Sequence, residues 1–221
     1  SFEVTVMKLI DIIEAPKPSL SFEIFPPKSS AAYESIQKAA EAIAQLSPSY
    51  MSVTYGAGGG TSAYTVSIAA EIQKKFNVPV MAHLSCISST REGVRQQLDA
   101  MRQNGIENVL ALRGDLPSGT LPEPGWDYHY ASELVAEIRE YGGFCIGGAC
   151  YPEGHTESAS QAEDIANLKK KVEAGCEFLT TQMFFDNNIY YNFLYKIREA
   201  GIQVPVVAGI MPVTNVKQIA R

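Results

Sequence analysis

The stretch Asn108-Val109-Leu110-Ala111-Leu112-Arg113-Gly114-Asp115 decides the fold. An apolar run of strand length ends abruptly in a cation, a glycine and an anion. Similar β-rich runs occur on both sides of it, at 20–25, 50–55, 78–84, 144–149, 177–183 and 204–210, starting about 30 residues apart. Helical patterns fill the intervals. Tyr33, Ile36, Ala40, Ile43 and Leu46 mark one apolar face, and Val94, Leu98 and Met101 another, with Ser89 and Glu92 spaced as a capping box. Ile165, Leu168 and Val172 form a third face closed by Gly175, and Phe193, Leu194 and Ile197 a fourth closed by Gly201. Strands alternating with helices at this spacing are parallel strands joined by crossovers. The class is therefore α/β, and a (β/α)8 TIM barrel is the expected architecture, with an open doubly wound sheet as the alternative. Seven strands are readable where a barrel needs eight and typically about 250 residues. The eighth βα unit is expected beyond Arg221, in a chain that stops within a helix starting at Thr214. Residues 1–221 read as one barrel domain, C-terminally incomplete, with no interdomain linker.

Composition narrows the function classes. The chain has 221 residues and a net charge of −6, which opposes binding to a nucleic-acid backbone or an anionic membrane. No apolar run approaches the roughly 20 residues needed to span a bilayer. No secretory signal pattern opens the sequence. A cytoplasmic protein is expected. Cys86, Cys145, Cys150 and Cys176 lack a paired C-x-x-C framework and read as reduced core thiols.

In a barrel, chemistry sits where strands end. Glu23 lies between Phe22 and Ile24 and so faces the opposite side, the barrel interior. A carboxylate there needs a partner or a task, and partial burial would raise its pKa toward general-acid use. The structural alternative is a salt bridge to Lys28 or Arg113. Strand two runs through Thr54 and Tyr55 into Gly56-Ala57-Gly58-Gly59-Gly60-Thr61. Its glycines allow close backbone approach to a ligand, although Thr61 breaks the G-x-G-x-x-G pattern. Strand three ends in His83, without zinc-motif spacing to any other histidine. Arg113 and Asp115 close strand four, where they can address a polar ring system or pair with each other. Gly147 and Gly148 in strand five suggest close approach of something flat. Gln182 offers a donor and an acceptor together at the end of strand six. Phe184 and Phe185 beside it read equally as core. No lysine ends a strand, which disfavours Schiff-base chemistry, and Lys169–Lys171 read as a solvated helical face.

Taken in order, segments 21–28, 52–61, 82–86, 111–117, 147–155, 181–186 and 209–215 resemble the catalytic domain of the methylenetetrahydrofolate reductases of the bacterial single-domain type. That resemblance implies a barrel holding FAD non-covalently at the strand C-termini. It also implies NADH or NADPH as the reductant and 5,10-methylenetetrahydrofolate as the second substrate, reduced to 5-methyltetrahydrofolate in a ping-pong sequence. Glu23 would be the general acid, and Asp115 would stand near the flavin and the pterin. Thr54, Tyr55, Ala57, His83, Arg113, Gly114, Asp115, Tyr130, Ala131, Tyr151, His155, Asp164, Asn167, Lys170 and Lys171 would line FAD. The lysine run then gains a task, with Lys171 meeting the pyrophosphate. Asp115, Gln182 and Gln218 would contact folate or nicotinamide. The family also supplies an aromatic and an arginine beyond Arg221. No metal is implied, and a homo-oligomer is the expected assembly. A flavin barrel of the proline-dehydrogenase kind and an inactive FAD-binding barrel fragment are the competing readings.

Overall fold

The computed structural model describes residues 7–27, 32–55, 62–115 and 126–216. Seven parallel strands pair strictly in sequence order: β1 (Ser21–Ile24), β2 (Tyr50–Val53), β3 (Val80–Ser85), β4 (Asn108–Leu112), β5 (Cys145–Cys150), β6 (Phe178–Thr181) and β7 (Val206–Val207). A doubly wound sheet would reverse this order at a switch point, and no reversal occurs. With crossovers of one hand, every helix falls on the same face of the sheet. The sheet therefore curls into the seven-strand arc of a TIM-type barrel. Among the described residues there is no eighth strand, and β1 and β7 are the two edges.

The strand side chains divide as the pleat requires. Ile24, Met51, Val53, Val80, Ala82, Leu84, Val109, Ala111 and Ile146 face outward and pack with the helices in one apolar cluster. Those helices are α2 (Tyr33–Ala44), α3 (Ser62–Phe76), α4 (Arg91–Gln103) and α5 (Ala131–Tyr141). The next two, α6 (Gln161–Glu173) and α7 (Asn187–Glu199), cover β5 to β7 in a second cluster. Facing inward, Tyr50, Met81, Leu110, Cys145 and Phe178 form a third cluster with Leu9. Register aligns Glu23, Ser52, Met81, Asn108 and Cys145 as one interior row.

Leu9 belongs to a short helix, α1 (Leu9–Ile13), which the sequence patterns do not reveal. At five residues it is too short to show an apolar period. It is held by Asn108, whose side chain is fully buried. The Asn108 Oδ1 accepts from the Leu9 amide at 2.8 Å. Its Nδ2 donates to the Met7 and Val80 carbonyls at 3.2 and 3.3 Å. One amide thus joins α1, β3 and β4 beneath the interior cluster.

Three local expectations change. The cap of α4 is Thr90, whose hydroxyl accepts from the Gly93 amide at 3.1 Å, rather than Ser89. The flat group approaching Gly147 is the Phe178 ring of the neighbouring strand: a Cβ on Gly147 would lie 2.6 Å from it. A Cβ on Gly148 would meet Lys171 Cδ and Cys176 Sγ, each at 2.8 Å. Both glycines make room for core side chains. The expected 204–210 strand is shorter in the structure and stops at Val207, and Gly209 then donates to Thr181 Oγ1 at 2.9 Å. The helix expected after Thr214 falls largely on residues outside those described.

Replacing Asn108 with Ala strands the Leu9 amide and two carbonyls in a buried place. Unmet buried polar groups of this kind cost roughly 1–3 kcal/mol. Urea unfolding of Asn108→Ala should show a midpoint lowered by that order with an unchanged slope.

Candidate active site

The C-terminal ends of β1 to β6 bring the expected residues together in two groups. The first faces the interior. Glu23 Oε2 lies 3.3 Å from His83 Nε2 and accepts a hydrogen bond from the Ser52 hydroxyl at 3.4 Å. The His83 side chain is 6% exposed and that of Glu23 46%, so a buried imidazole meets a carboxylate open to the barrel mouth. His83 Nε2 is within ion-pair range of Glu23 and is a buried nitrogen with no hydrogen bond that meets strict geometry among the described residues. Burial pushes the Glu23 carboxyl up, but His83 and then Ser52 more than offset this and hold it below the usual value. The raised pKa expected from partial burial is therefore not found, because the imidazole on the next strand but one favours the charged form. Of the two expected salt-bridge partners, Lys28 lies outside the described residues and Arg113 pairs with Glu157 instead.

The second group lies at the rim between β4, β5 and α6. Arg113 makes a two-pronged pair with Glu157, 2.6 Å on each prong. The expected Arg113–Asp115 pair is thus replaced by a longer-range one that no short spacing could reveal. Asp115 is exposed, and its charge still bears on both Arg113 and Tyr151. Between them Gly114 adopts φ +89°, where a Cβ would lie 2.2 Å from Ser85 Oγ and 2.8 Å from Ile87 Cγ2. The turn that separates cation from anion is therefore possible only for glycine. Tyr151 and His155 meet edge to face at 4.6 Å. The His155 amide donates to Asp164 at 3.3 Å, which ties the loop after β5 to the first turn of α6.

The lysine run divides. Lys170 is exposed and donates to Asn167 at 3.3 Å. Lys171 points inward and donates to the Ala149 carbonyl in β5 at 2.7 Å. Burial lowers its pKa. A lysine therefore does reach the strand ends, from a helix instead of from a strand. Thr54 accepts from the Thr65 hydroxyl at 2.9 Å through its carbonyl, securing the start of α3. Tyr130 is exposed just before α5, which begins at Ala131, and its amide donates to Glu133 at 2.9 Å. Gln182 stands exposed after β6. The Phe184 ring, two residues on, stacks on Tyr190 of α7 at 4.7 Å, while Phe185 is exposed. Ala57 and Gln218 fall outside the described residues. Sequence reading misses Ser52 and Glu157, since neither carries a motif. All four cysteines are free and buried, as expected, and burial pushes each thiol up to about 12. No metal-binding cluster occurs among the described residues. No described helix is long and apolar enough to cross a membrane.

A barrel rim with an interior carboxylate and a cationic edge can host many chemistries, so relatives decide the family. The model of the methylenetetrahydrofolate reductase family matches residues 8–221. The 5,10-methylenetetrahydrofolate reductase of Pectobacterium carotovorum is 39% identical over 203 residues, covering 92% of this chain and 67% of that protein. The Escherichia coli enzyme of the same name is 40% identical with the same coverage. Methylenetetrahydrofolate reductase (NADH) 1 of Arabidopsis thaliana is 36% identical, with 97% of this chain matched to 39% of its length. This chain belongs to the methylenetetrahydrofolate reductase family. Among solved structures, a Clostridium thermocellum protein that binds two copies of 5-methyl-5,6,7,8-tetrahydrofolic acid superposes with a TM-score of 0.65 at 16% identity, covering 96% of this chain and 72% of its own. A 2,3-dimethylmalate lyase reaches 0.62 at 9% identity, with 96% of this chain and 75% of its own covered. At those identities the likeness is one of fold.

Gly114→Ala should lose roughly 1–3 kcal/mol to backbone strain and more to the Ser85 clash. Gly154 has the same φ, +89°, with nothing within 4 Å of a Cβ. Gly154→Ala therefore carries the strain alone, and the difference in melting temperature between the two variants should isolate the packing loss.

Proposed function

We infer that this protein reduces 5,10-methylenetetrahydrofolate to 5-methyltetrahydrofolate with NADH or NADPH, using FAD in two alternating half-reactions. The observation that carries the reading is Glu23, an ionisable group in the interior row at the strand ends, paired with His83 and open to the barrel mouth. Membership of the family supports the substrate. The rim suits FAD in its own chemistry. Arg113 and Lys171, now engaged with Glu157 and the Ala149 carbonyl, would hold an anionic pyrophosphate by exchanging those partners. His83 Nε2 is a buried polar atom without a hydrogen-bond partner. Thr54, Tyr55, Gly114, Tyr151, His155, Asp164 and Asn167 complete the lining, with Tyr130 and Ala131 at the entrance to α5. Bound FAD would supply hydride carriage between nicotinamide and folate.

The chain's own residues supply the rest. Glu23 donates a proton to the ring nitrogen of the folate's five-membered ring, and that carbon–nitrogen bond opens to an iminium cation. Asp115 places a negative charge where this cation is favoured. Gln182, from the end of β6, offers a paired donor and acceptor to a ring edge. The reaction consumes one proton, and Glu23 is held toward its charged form in the ligand-free site. Ligands displace water from a carboxylate that is now 46% exposed. That strengthens desolvation, the influence that already raises its pKa.

Glu23→Gln should leave reduction by NADH nearly intact while slowing folate reduction by roughly 100-fold or more. Equal losses in the two half-reactions, followed separately by flavin absorbance, would make Glu23 structural. In the wild type, folate reduction should speed up as pH falls, because the protonated fraction of a carboxyl held low increases in that direction.

Asp115→Asn removes a negative charge that would oppose electron uptake by a nearby ring. The flavin potential should rise, and folate reduction should slow more than reduction by NADH. A redox titration giving an unchanged or lower potential would place Asp115 away from the flavin.

A further inference from the structure

We propose that Glu157 is an internal stand-in for the FAD phosphate, which holds the Arg113 guanidinium in the ligand-free chain and yields it when the flavin binds. This deepens the reading of the rim as an FAD site and rests on it. Three observations support it. Both prongs of the Arg113 fork are taken by the two Glu157 oxygens, at 2.6 Å each, the same match that a guanidinium makes with two oxygens of a phosphate. The Arg113 side chain is 21% exposed and that of Glu157 50%, so the cation is set into the rim and its partner stands on the solvent side. The remaining Arg113 donor, Nε, is spent on the Gly114 carbonyl at 3.2 Å, which fixes the guanidinium beside its own turn.

The exchange needs no change of backbone. The Glu157 amide donates to His155 Nδ1 at 3.1 Å, and the Ser158 amide to the His155 carbonyl at 3.0 Å. The His155 amide and the Ser158 hydroxyl both reach Asp164, at 3.3 and 3.4 Å. The main chain around Glu157 is thus tied to α6 without the help of its carboxylate. Rotation of the Glu157 side chain frees Arg113 and leaves His155 in place. Until then the internal anion does two things. It keeps Arg113 turned away from Asp115, two residues along, and ready for an incoming anion. It also sets a threshold. The bond to Arg113 holds the Glu157 carboxyl below the usual range, so the competitor stays charged at neutral pH. A ligand must offer Arg113 more than one carboxylate does. A pyrophosphate, with charge to share between Arg113 and Lys171, meets that demand, and a small monoanion does not.

The test uses the flavin-free chain and three probes: FAD, riboflavin and inorganic pyrophosphate. Glu157→Gln keeps the side-chain length and the amide bond to His155 but removes the competing charge. It should bind FAD about 10-fold more tightly than the wild type, the order of a charge-assisted two-pronged pair, as read from flavin fluorescence. Riboflavin carries no phosphate, and its affinity should be equal in the two proteins. Pyrophosphate, followed by calorimetry, should gain as FAD does. Unchanged or weaker FAD binding by Glu157→Gln overturns the proposal, because Glu157 would then orient Arg113 instead of competing for it. An equal gain for riboflavin overturns it too, since the effect would not pass through the phosphate. Should Glu157→Gln not fold, the wild type decides: the carboxyl resonance of Glu157 should move toward that of a free glutamate when FAD is added, and an unmoved resonance overturns the proposal. A failure of the underlying reading looks different. FAD would then bind to neither protein, while the pyrophosphate comparison still shows whether Glu157 competes for Arg113.

Discussion

The structure depends on one constraint, that each strand pairs in parallel with its neighbour in sequence. Parallel neighbours require a crossover, and crossovers of one hand place every helix outside. The inner face is then left to side chains alone, and all strand C-termini gather at one rim. Glu23, His83, Arg113 and Gln182 are spread over 160 residues of sequence, yet they end on that rim because of pairing. The constraint also sets a burden at the other end. Interior side chains there must be covered, and α1 with Asn108 performs that task. An amide is suited to it, since it can accept from α1 while donating to the Met7 carbonyl just before α1 and to β3.

The interior is not uniformly apolar, and the division across it organises the chemistry. Its apolar part is Leu9, Met81, Leu110, Cys145 and Phe178. In the same register rows, on β1 to β3, it becomes Ser52, Glu23 and His83. A charge at that boundary is half solvated. Its protonation is then decided by small differences, with burial on one side and the imidazole and hydroxyl on the other. A fully buried carboxylate would be neutral and fixed, and a fully exposed one would ignore its neighbours. Standing between these limits, Glu23 is a group whose protonation a ligand can change.

The sequence makes the fold legible because the strand–helix period is long, regular and repeated seven times. Its failures are local and have physical causes. Helix α1 is too short to show a period. Thr90 and Ser89 are chemically equivalent as caps, and only backbone geometry separates them. Gly147 and Gly148 look like a ligand cradle but accommodate Phe178, Lys171 and Cys176, which lie on other elements. The strand-end residues are readable singly, and their partners are not. Arg113 stands two residues from Asp115 yet pairs with Glu157, 44 positions away. The expectation for Glu23 erred in the same way: burial is readable from strand alternation, but the counteracting His83 comes from β3.

The two groups of side chains differ in how they are anchored. Glu23, Ser52 and His83 stand within consecutive strands, whose backbones are fixed by the ladder. Arg113, Gly114, Asp115, Tyr151, His155 and Glu157 stand on the loops after β4 and β5, tied by side-chain bonds to one another and to α6. Strand positions hold geometry to fractions of an ångström, while loops can yield. Proton delivery needs the first property, since transfer depends steeply on distance. Admitting a large anionic ligand needs the second. Arg113 must exchange Glu157 for a phosphate oxygen if it is to hold one, and the half-exposed Glu157 carboxylate is an anionic partner of the same kind. On the proposed reading, chemistry falls to the sheet and recognition to the rim.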